Sequence, residues 1–141
     1  MQTFLPYKDF AQTASVLDRQ RLGKQRVETL QIIKSLVTPN YGWKNHPAVR
    51  MWRSYEFELL NYQEAICNEW TSRGYKDTCL EKSIALLADY PQKRFTPYWL
   101  GNPVVHKSHQ SNLLRKLPEH YSQYFNDISN DLEYYWPKEA K

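Results

Sequence analysis

Positions 21, 24, 28, 31 and 35 recur at heptad spacing within a helical stretch, which gathers Arg21, Lys24, Glu28 and Gln31 on one stripe. The apolar residues Leu22, Leu30 and Ile33 lie elsewhere around that helix. A carboxylate ringed by bases is what cleavage of an N-glycosidic bond needs. The bases hold the phosphates on either side, and the carboxylate stabilises positive charge developing on the sugar or moves a proton at its ring. The same spacing also describes a solvated face with a Lys24/Glu28 pair at i,i+4, worth about 0.2–0.5 kcal/mol. Pattern alone leaves both readings open.

Other side chains with chemical capacity are more scattered. His46 precedes Pro47 at a helix start, where capping explains it as well as a ligand contact does. His106 and His109 stand three residues apart, but no acidic or sulfur partner is near them in sequence, so phosphate or base contact is expected there in preference to a metal. Cys67 and Cys79 lack CxxC spacing and read as buried free thiols, so neither a metal nor a cofactor is expected. The Tyr98-Trp99 pair lies in a stretch without acids and is placed to stack on a base. Small helical domains also fill their cores with aromatics, and 11 Tyr, 5 Trp and 5 Phe supply ample material for that.

Charge distribution narrows the partner. The net charge of +4 is mild, but the bases are grouped. Arg19, Arg21, Lys24, Arg26 and Lys34 meet only Asp18 and Glu28 between residues 18 and 34. From Gln92 to Lys116 five bases and two histidines meet no acid, whereas the tail from Asn126 carries four acids against two bases. Two basic segments suit phosphate. With no run of 18 apolar residues and no signal-like N-terminus, the chain is expected to be soluble and cytoplasmic.

These side chains must be positioned by helices. At 141 residues the chain fits one domain, and the expected architecture is all-α, with four to five helices, an ordered Pro-rich loop and an extended N-terminal segment. Ser15-x-x-Asp18 reads as a capping box opening a helix that stops before Thr38-Pro39-Asn40. A second, long helical run follows Pro47 and ends at Arg73-Gly74, with a kink or break expected inside it. Thr78-x-x-Glu81 reads as another capping box, for a helix ending near Tyr90-Pro91. The stretch from Gln92 to Pro103 reads as a loop, a fourth helix runs from about Val104 to Lys116, and a short aromatic helix with Tyr121, Tyr124 and Phe125 follows. Residues 2–6 have the makings of a strand without an evident partner.

The run Leu17-Asp18-Arg19-Gln20-Arg21-Leu22-Gly23-Lys24-Gln25-Arg26-Val27-Glu28 resembles the first helix of the pyrimidine-dimer DNA glycosylases, the endonuclease V family of small helical repair enzymes. Asn45-His46-Pro47, Arg73-Gly74-Tyr75 and the segment from His106 through Lys107, His109 and Gln110 to Arg115 and Lys116 fall in the same order as in that family. The resemblance covers roughly residues 1–125. It implies a DNA glycosylase in which Glu28 is catalytic and the N-terminal α-amine attacks the sugar C1′, giving a Schiff base and strand breakage by β-elimination. The best-known members expose threonine after loss of methionine. Here the bulk of Gln2 should retain Met1, so the amine is that of Met1, or the chain starts differently in the cell, or the lyase step is absent, with Lys24, one turn from Glu28, as the substitute nucleophile. An α-amine suits the task, because about a tenth of an unperturbed one is free base at neutral pH, far more than of a lysine. Arg21-Leu22 matches a His-Leu step of the family.

On this reading duplex DNA lies along the first helix and the segment from Lys93 to Lys116. Arg19, Arg21, Lys24, Arg26, Lys107, Arg115 and Lys116 neutralise phosphates, while His46, Trp99, His106, His109 and Gln110 are further contact residues. The rival reading is a non-catalytic binder that holds a nucleotide-like ligand in the same basic, aromatic pocket.

Overall fold

The computed structural model describes residues 1–91 and 94–139. Among them are seven helices and no strand: α1 (Phe10–Val16), α2 (Arg19–Val37), α3 (Pro47–Arg50), α4 (Glu56–Ser72), α5 (Cys79–Leu87), α6 (Pro103–Lys116) and α7 (Pro118–Tyr121). The all-α expectation holds. The helix count exceeds four to five for two reasons. The long second run is divided, as its length suggested, with α3 and α4 separated by residues 51–55, where Ser54 takes φ +75°. The other addition, α1, has only seven residues, too few for an apolar period to register.

Both capping boxes are corrected by the structure. Ser15 lies inside α1, where its hydroxyl donates to the Gln12 carbonyl at 2.7 Å, and Asp18 itself caps α2 by accepting from the Arg21 amide at 3.3 Å. Thr78 makes no side-chain cap for α5. Asp77 does that work, accepting from the amides of Cys79 at 3.2 Å and Leu80 at 3.0 Å, while its Oδ1 also takes the Arg26 guanidinium at 2.6 Å. Punctuation elsewhere behaves as chemistry dictates. Helix α2 ends at Thr38 before Pro39, and α4 ends ahead of Gly74, whose φ of +96° few residues other than glycine adopt. Pro103 occupies the first turn of α6 behind an Asn102 cap.

Helix α2 is the central element. It packs on α4 and α5, α1 lies on α4, and α6 packs against α7. The core runs from Phe4 to Phe125 and is rich in large side chains, including Trp52, Trp99, Tyr62 and Tyr121. Trp52 and Trp99 meet edge to face with centroids 4.9 Å apart, and the indole of Trp99 donates to the Met51 carbonyl at 3.0 Å. Trp99, expected as a stacking surface for a base, is therefore core, only 1% exposed. Its neighbour Tyr98 is the exposed ring of the pair.

The N-terminal segment is buried from Gln2 to Pro6 and runs between α2 and α6. Its hydrogen bonds come from side chains. The Gln25 carboxamide accepts from the Phe4 amide and donates to the Gln2 carbonyl, each at 2.6 Å. His109 accepts from the Leu5 amide, and His106 donates to the Leu5 carbonyl, each at 2.8 Å. Gln110 donates to the Pro6 carbonyl at 2.7 Å. The C-terminal segment is tied down in the same manner on the other side of α6. Ser111 accepts from the Leu132 amide at 2.9 Å, Ser108 accepts from that of Tyr135 at 3.2 Å, and Glu139 pairs with Arg53. Among the described residues no helix is long and apolar enough to cross a membrane. Gln92 and Lys93, at the start of the expected loop, lie outside the described residues.

The division of labour at the start of α5 is open to measurement. Asp77→Ala removes two capping contacts and leaves the Arg26 guanidinium, mostly buried, without its anion, so it should cost about 3 kcal/mol in urea unfolding. Thr78→Ala should cost under about 0.5 kcal/mol. Equal losses would contradict the assignment of the cap to Asp77.

Candidate active site

The stripe on α2 opens into a pocket of about 310 Å³ whose walls include Met1, Gln2, Gln20, Arg21, Lys24, Gln25, Glu28, Lys116 and Tyr134. Glu28 is partly buried at its centre. Its Oε2 accepts from the backbone amide of Gln2 at 3.3 Å and from the Gln25 carboxamide at 3.3 Å. Met1 is only partly exposed, packs against the core and lines the same pocket as the carboxylate, one residue before the Gln2 amide that Glu28 accepts from. A second, more open depression continues the groove along α2 past Lys24, Val27, Glu28 and Gln31 to Trp70.

Gln25 organises this floor. It is 1% exposed, and its two acceptor contacts come from N–H and O–H groups, which fixes which end of the amide is oxygen. The Tyr62 hydroxyl, 2.6 Å from that oxygen, is also 2.7 Å from the Phe4 carbonyl, so its single proton is shared between two acceptors. Burial raises the Tyr62 pKa well above that of free tyrosine, and the nearby Glu28 charge adds to this, so Tyr62 stays neutral. Gln25 and Tyr62 were not anticipated from sequence. Gln25 stands three residues before Glu28, but only the course of the N-terminal segment gives it a role.

His46 stands beside the same site. It caps α3 by accepting from the Ala48 amide at 3.0 Å. Its pKa is lowered first by burial and then by the positive chain terminus, with Glu28 opposing. Those influences place both the amine and the carboxylate in its field. Its ring also bridges Trp43 and Trp136, edge to face at 6.1 Å from each.

The other nominated residues separate into groups. Arg19, Lys24, Lys107 and Lys116 are exposed, and Lys24 and Lys116 reach the pocket. Among the described residues no ion pair joins Lys24 to Glu28 within 4.0 Å. Arg21 lines the pocket while pairing with Asp18 at 3.3 Å. Arg26 turns to the other side of α2, where Asp77 and the face of Trp70, 4.6 Å from its guanidinium, occupy it. Arg115 is taken up by the carbonyls of Asn130 and Leu132. His106, His109 and Gln110 hold the backbone of residues 5 and 6, so these three are architectural. The Gly101 amide donates to His106 Nε2 at 2.9 Å, leaving neither of its ring nitrogens free. Among the described residues no cluster of three or more metal-ligating side chains exists. Tyr134, from the acidic tail, is a wall residue that sequence reasoning missed.

The sequence model of the pyrimidine dimer DNA glycosylase family matches residues 1–83, which include α1, α2, α4 and the pocket's Met1, Gln25 and Glu28. The chain belongs to that family. No curated protein and no solved structure matches it. The match stops short of α6 and the C-terminal segment, so Lys116 and Tyr134 complete the pocket from outside the matched region.

The histidines that clamp Leu5 make a pH prediction. Burial drives the His109 pKa down to about 3, with His106 adding to the effect, and His106 itself is lowered chiefly by burial. Unfolded, each would titrate near 6.5, so below that pH the unfolded chain binds protons that the folded one refuses. Stability is complete above about pH 6.5 and falls as the pH drops toward 3. His109 alone should cost about 2 kcal/mol between pH 6.5 and 5, a window in which carboxylates stay ionised. Urea unfolding at pH 7 and pH 5 measures it, and a flat profile would contradict the buried neutral pair.

Proposed function

We propose that this chain is a DNA glycosylase with abasic-site lyase activity, acting on pyrimidine-dimer-type damage. Glu28 stabilises the sugar cation and the chain-terminal α-amine is the nucleophile. The observation that carries the reading is the 3.3 Å contact between the Gln2 nitrogen and Glu28 Oε2. It supports an amine and a carboxylate acting on one sugar, whether the amine is that of Met1 or, were Met1 removed, of Gln2 itself.

In the proposed sequence the lesion is extruded into the pocket. As the C1′–N bond lengthens, the Glu28 carboxylate lies against the positive charge growing on C1′ and O4′. The amine nitrogen, as free base, attacks C1′, the base departs with the bonding pair, and loss of a proton and ring opening give the Schiff base. Abstraction of a C2′ proton then expels the 3′ phosphate. Arg19, Lys24, Lys107 and Lys116 are the exposed cations for the flanking phosphates, with Arg21 contributing from the pocket wall. Arg26 and Arg115 have intramolecular partners and are left out of this set.

The test is incubation with a duplex carrying one cyclobutane thymine dimer, and with an abasic duplex, each with and without borohydride. Wild-type protein should cleave one glycosidic bond of the dimer, read as strand scission because that base stays tethered to its cyclobutane partner, and should form a trapped adduct, with the cross-link found by peptide mass spectrometry on the N-terminal residue. Glu28→Gln should lower glycosidic-bond cleavage by on the order of 100- to 1000-fold while retaining duplex affinity. Full activity in that variant, or no action by wild type on either duplex, would overturn the proposal. Affinity for a free nucleotide with no action on DNA would favour a binder.

A further inference from the structure

Among the described residues three buried side-chain atoms lack a hydrogen-bond partner: Gln2 Nε2, Arg26 Nε and Thr29 Oγ1. Only Gln2 of these lines the pocket that contains Glu28. Its orientation is not arbitrary. The Thr3 amide donates to Gln2 Oε1 at 2.8 Å, so that atom must be the oxygen and Nε2 must face away from the backbone. Gln2 is 7% exposed, and the Tyr134 phenol stands beside its carboxamide without meeting Nε2 in hydrogen-bond geometry. An oriented, buried, unused donor is costly to keep, and apolar side chains of similar bulk would avoid that cost.

We infer that the Gln2 carboxamide nitrogen donates to the O2 carbonyl of the pyrimidine being excised, and so acts as a leaving-group and specificity contact. The inference rests on the glycosylase reading above. Residue 2 presents its backbone nitrogen to Glu28 and its side chain to the same pocket. A sugar with C1′ against the carboxylate therefore sets its base over the Gln2 side chain. O2 is the carbonyl next to the glycosidic nitrogen, and the one nearest the sugar.

The lysine and arginine groups of the pocket suit phosphate, whereas a neutral amide suits a neutral carbonyl that gains charge only as the bond breaks. When the C1′–N1 bond breaks, its electron pair passes to the base and is shared between N1 and O2. The Nε2–H bond to O2 strengthens without transferring its proton, C1′ is captured by the amine or by water, and the departing base takes a proton from water. The Tyr134 ring gives way to the entering base. It belongs to a segment attached to α6 by contacts from Ser108, Ser111 and Asn112.

Gln2→Met keeps the length of the side chain and removes the donor. Gln2→Glu keeps the acceptor for the Thr3 amide and replaces the donor by an oxygen. Single-turnover glycosidic-bond cleavage in the thymine-dimer duplex, read as strand scission after alkali, should fall on the order of 100-fold in Gln2→Met and at least as far in Gln2→Glu. Affinity for a duplex carrying a tetrahydrofuran abasic analogue, which has no O2 to read, should stay within about twofold by the same logic. Unchanged glycosidic-bond cleavage in Gln2→Met would overturn the inference, as would parallel losses of cleavage and abasic-analogue affinity, which mark a damaged pocket. Absence of glycosidic-bond cleavage by the wild-type chain would instead remove the glycosylase reading and the inference with it.

Discussion

A buried backbone with no second strand to pair with is the constraint around which this molecule is built. Residues 2–6 carry peptide groups into the interior, and each unpaired group there would be expensive. The Gln25 carboxamide answers with four contacts, to the Phe4 amide, the Gln2 carbonyl, the Tyr62 hydroxyl and Glu28 Oε2. The last of these ties the architecture to the chemistry. The side chain that fixes the N-terminal segment also orients the carboxylate, so the two cannot drift apart independently. Pre-organisation of this kind is what a site acting through charge stabilisation requires.

The same constraint explains the behaviour of the histidines. Clamping both sides of Leu5 takes one acceptor and one donor nitrogen, from His109 and His106 respectively. A charged His109 ring would lose the acceptor and place an ammonium-like charge in the core. The arrangement therefore works only with neutral His109, and burial enforces that state. His46 differs in kind: it lies at the edge of the site, where the amine and Glu28 act on it in opposite senses. One residue type thus serves as backbone clamp in two places and as a neighbour of the chain terminus and Glu28 in a third.

What the sequence made legible, and what it did not, follows from the range of each interaction. Helical periodicity, proline and glycine stops and the grouping of Arg21, Lys24 and Glu28 are local, and all three reappear in the fold. The roles of Trp99, His106, His109 and Arg26 depend on partners about 50 to 105 residues away. A basic, aromatic stretch free of acids looks the same whether its rings face DNA or a buried strand. Asp77 was overlooked as a cap because Thr78 stood in the place where a capping box is sought. Gln25 and Gln2 carried no signal of their own, since a glutamine becomes informative only when the backbone it serves is known.

The pocket is therefore of mixed origin. Its chemical floor, formed by Met1, Gln25 and Glu28, lies within the family match of residues 1–83. Lys116 and Tyr134 close it from α6 and from a C-terminal segment of irregular backbone. Side chains on rigid helices can be held to a reacting geometry, whereas a wall hung on side-chain contacts can rearrange at lower cost. Gln25 and Glu28 stand on the rigid helix α2, whereas Tyr134 hangs on the more adaptable C-terminal segment. Change in the shape of the pocket would accordingly be accommodated first around Tyr134, with the Glu28 environment left intact.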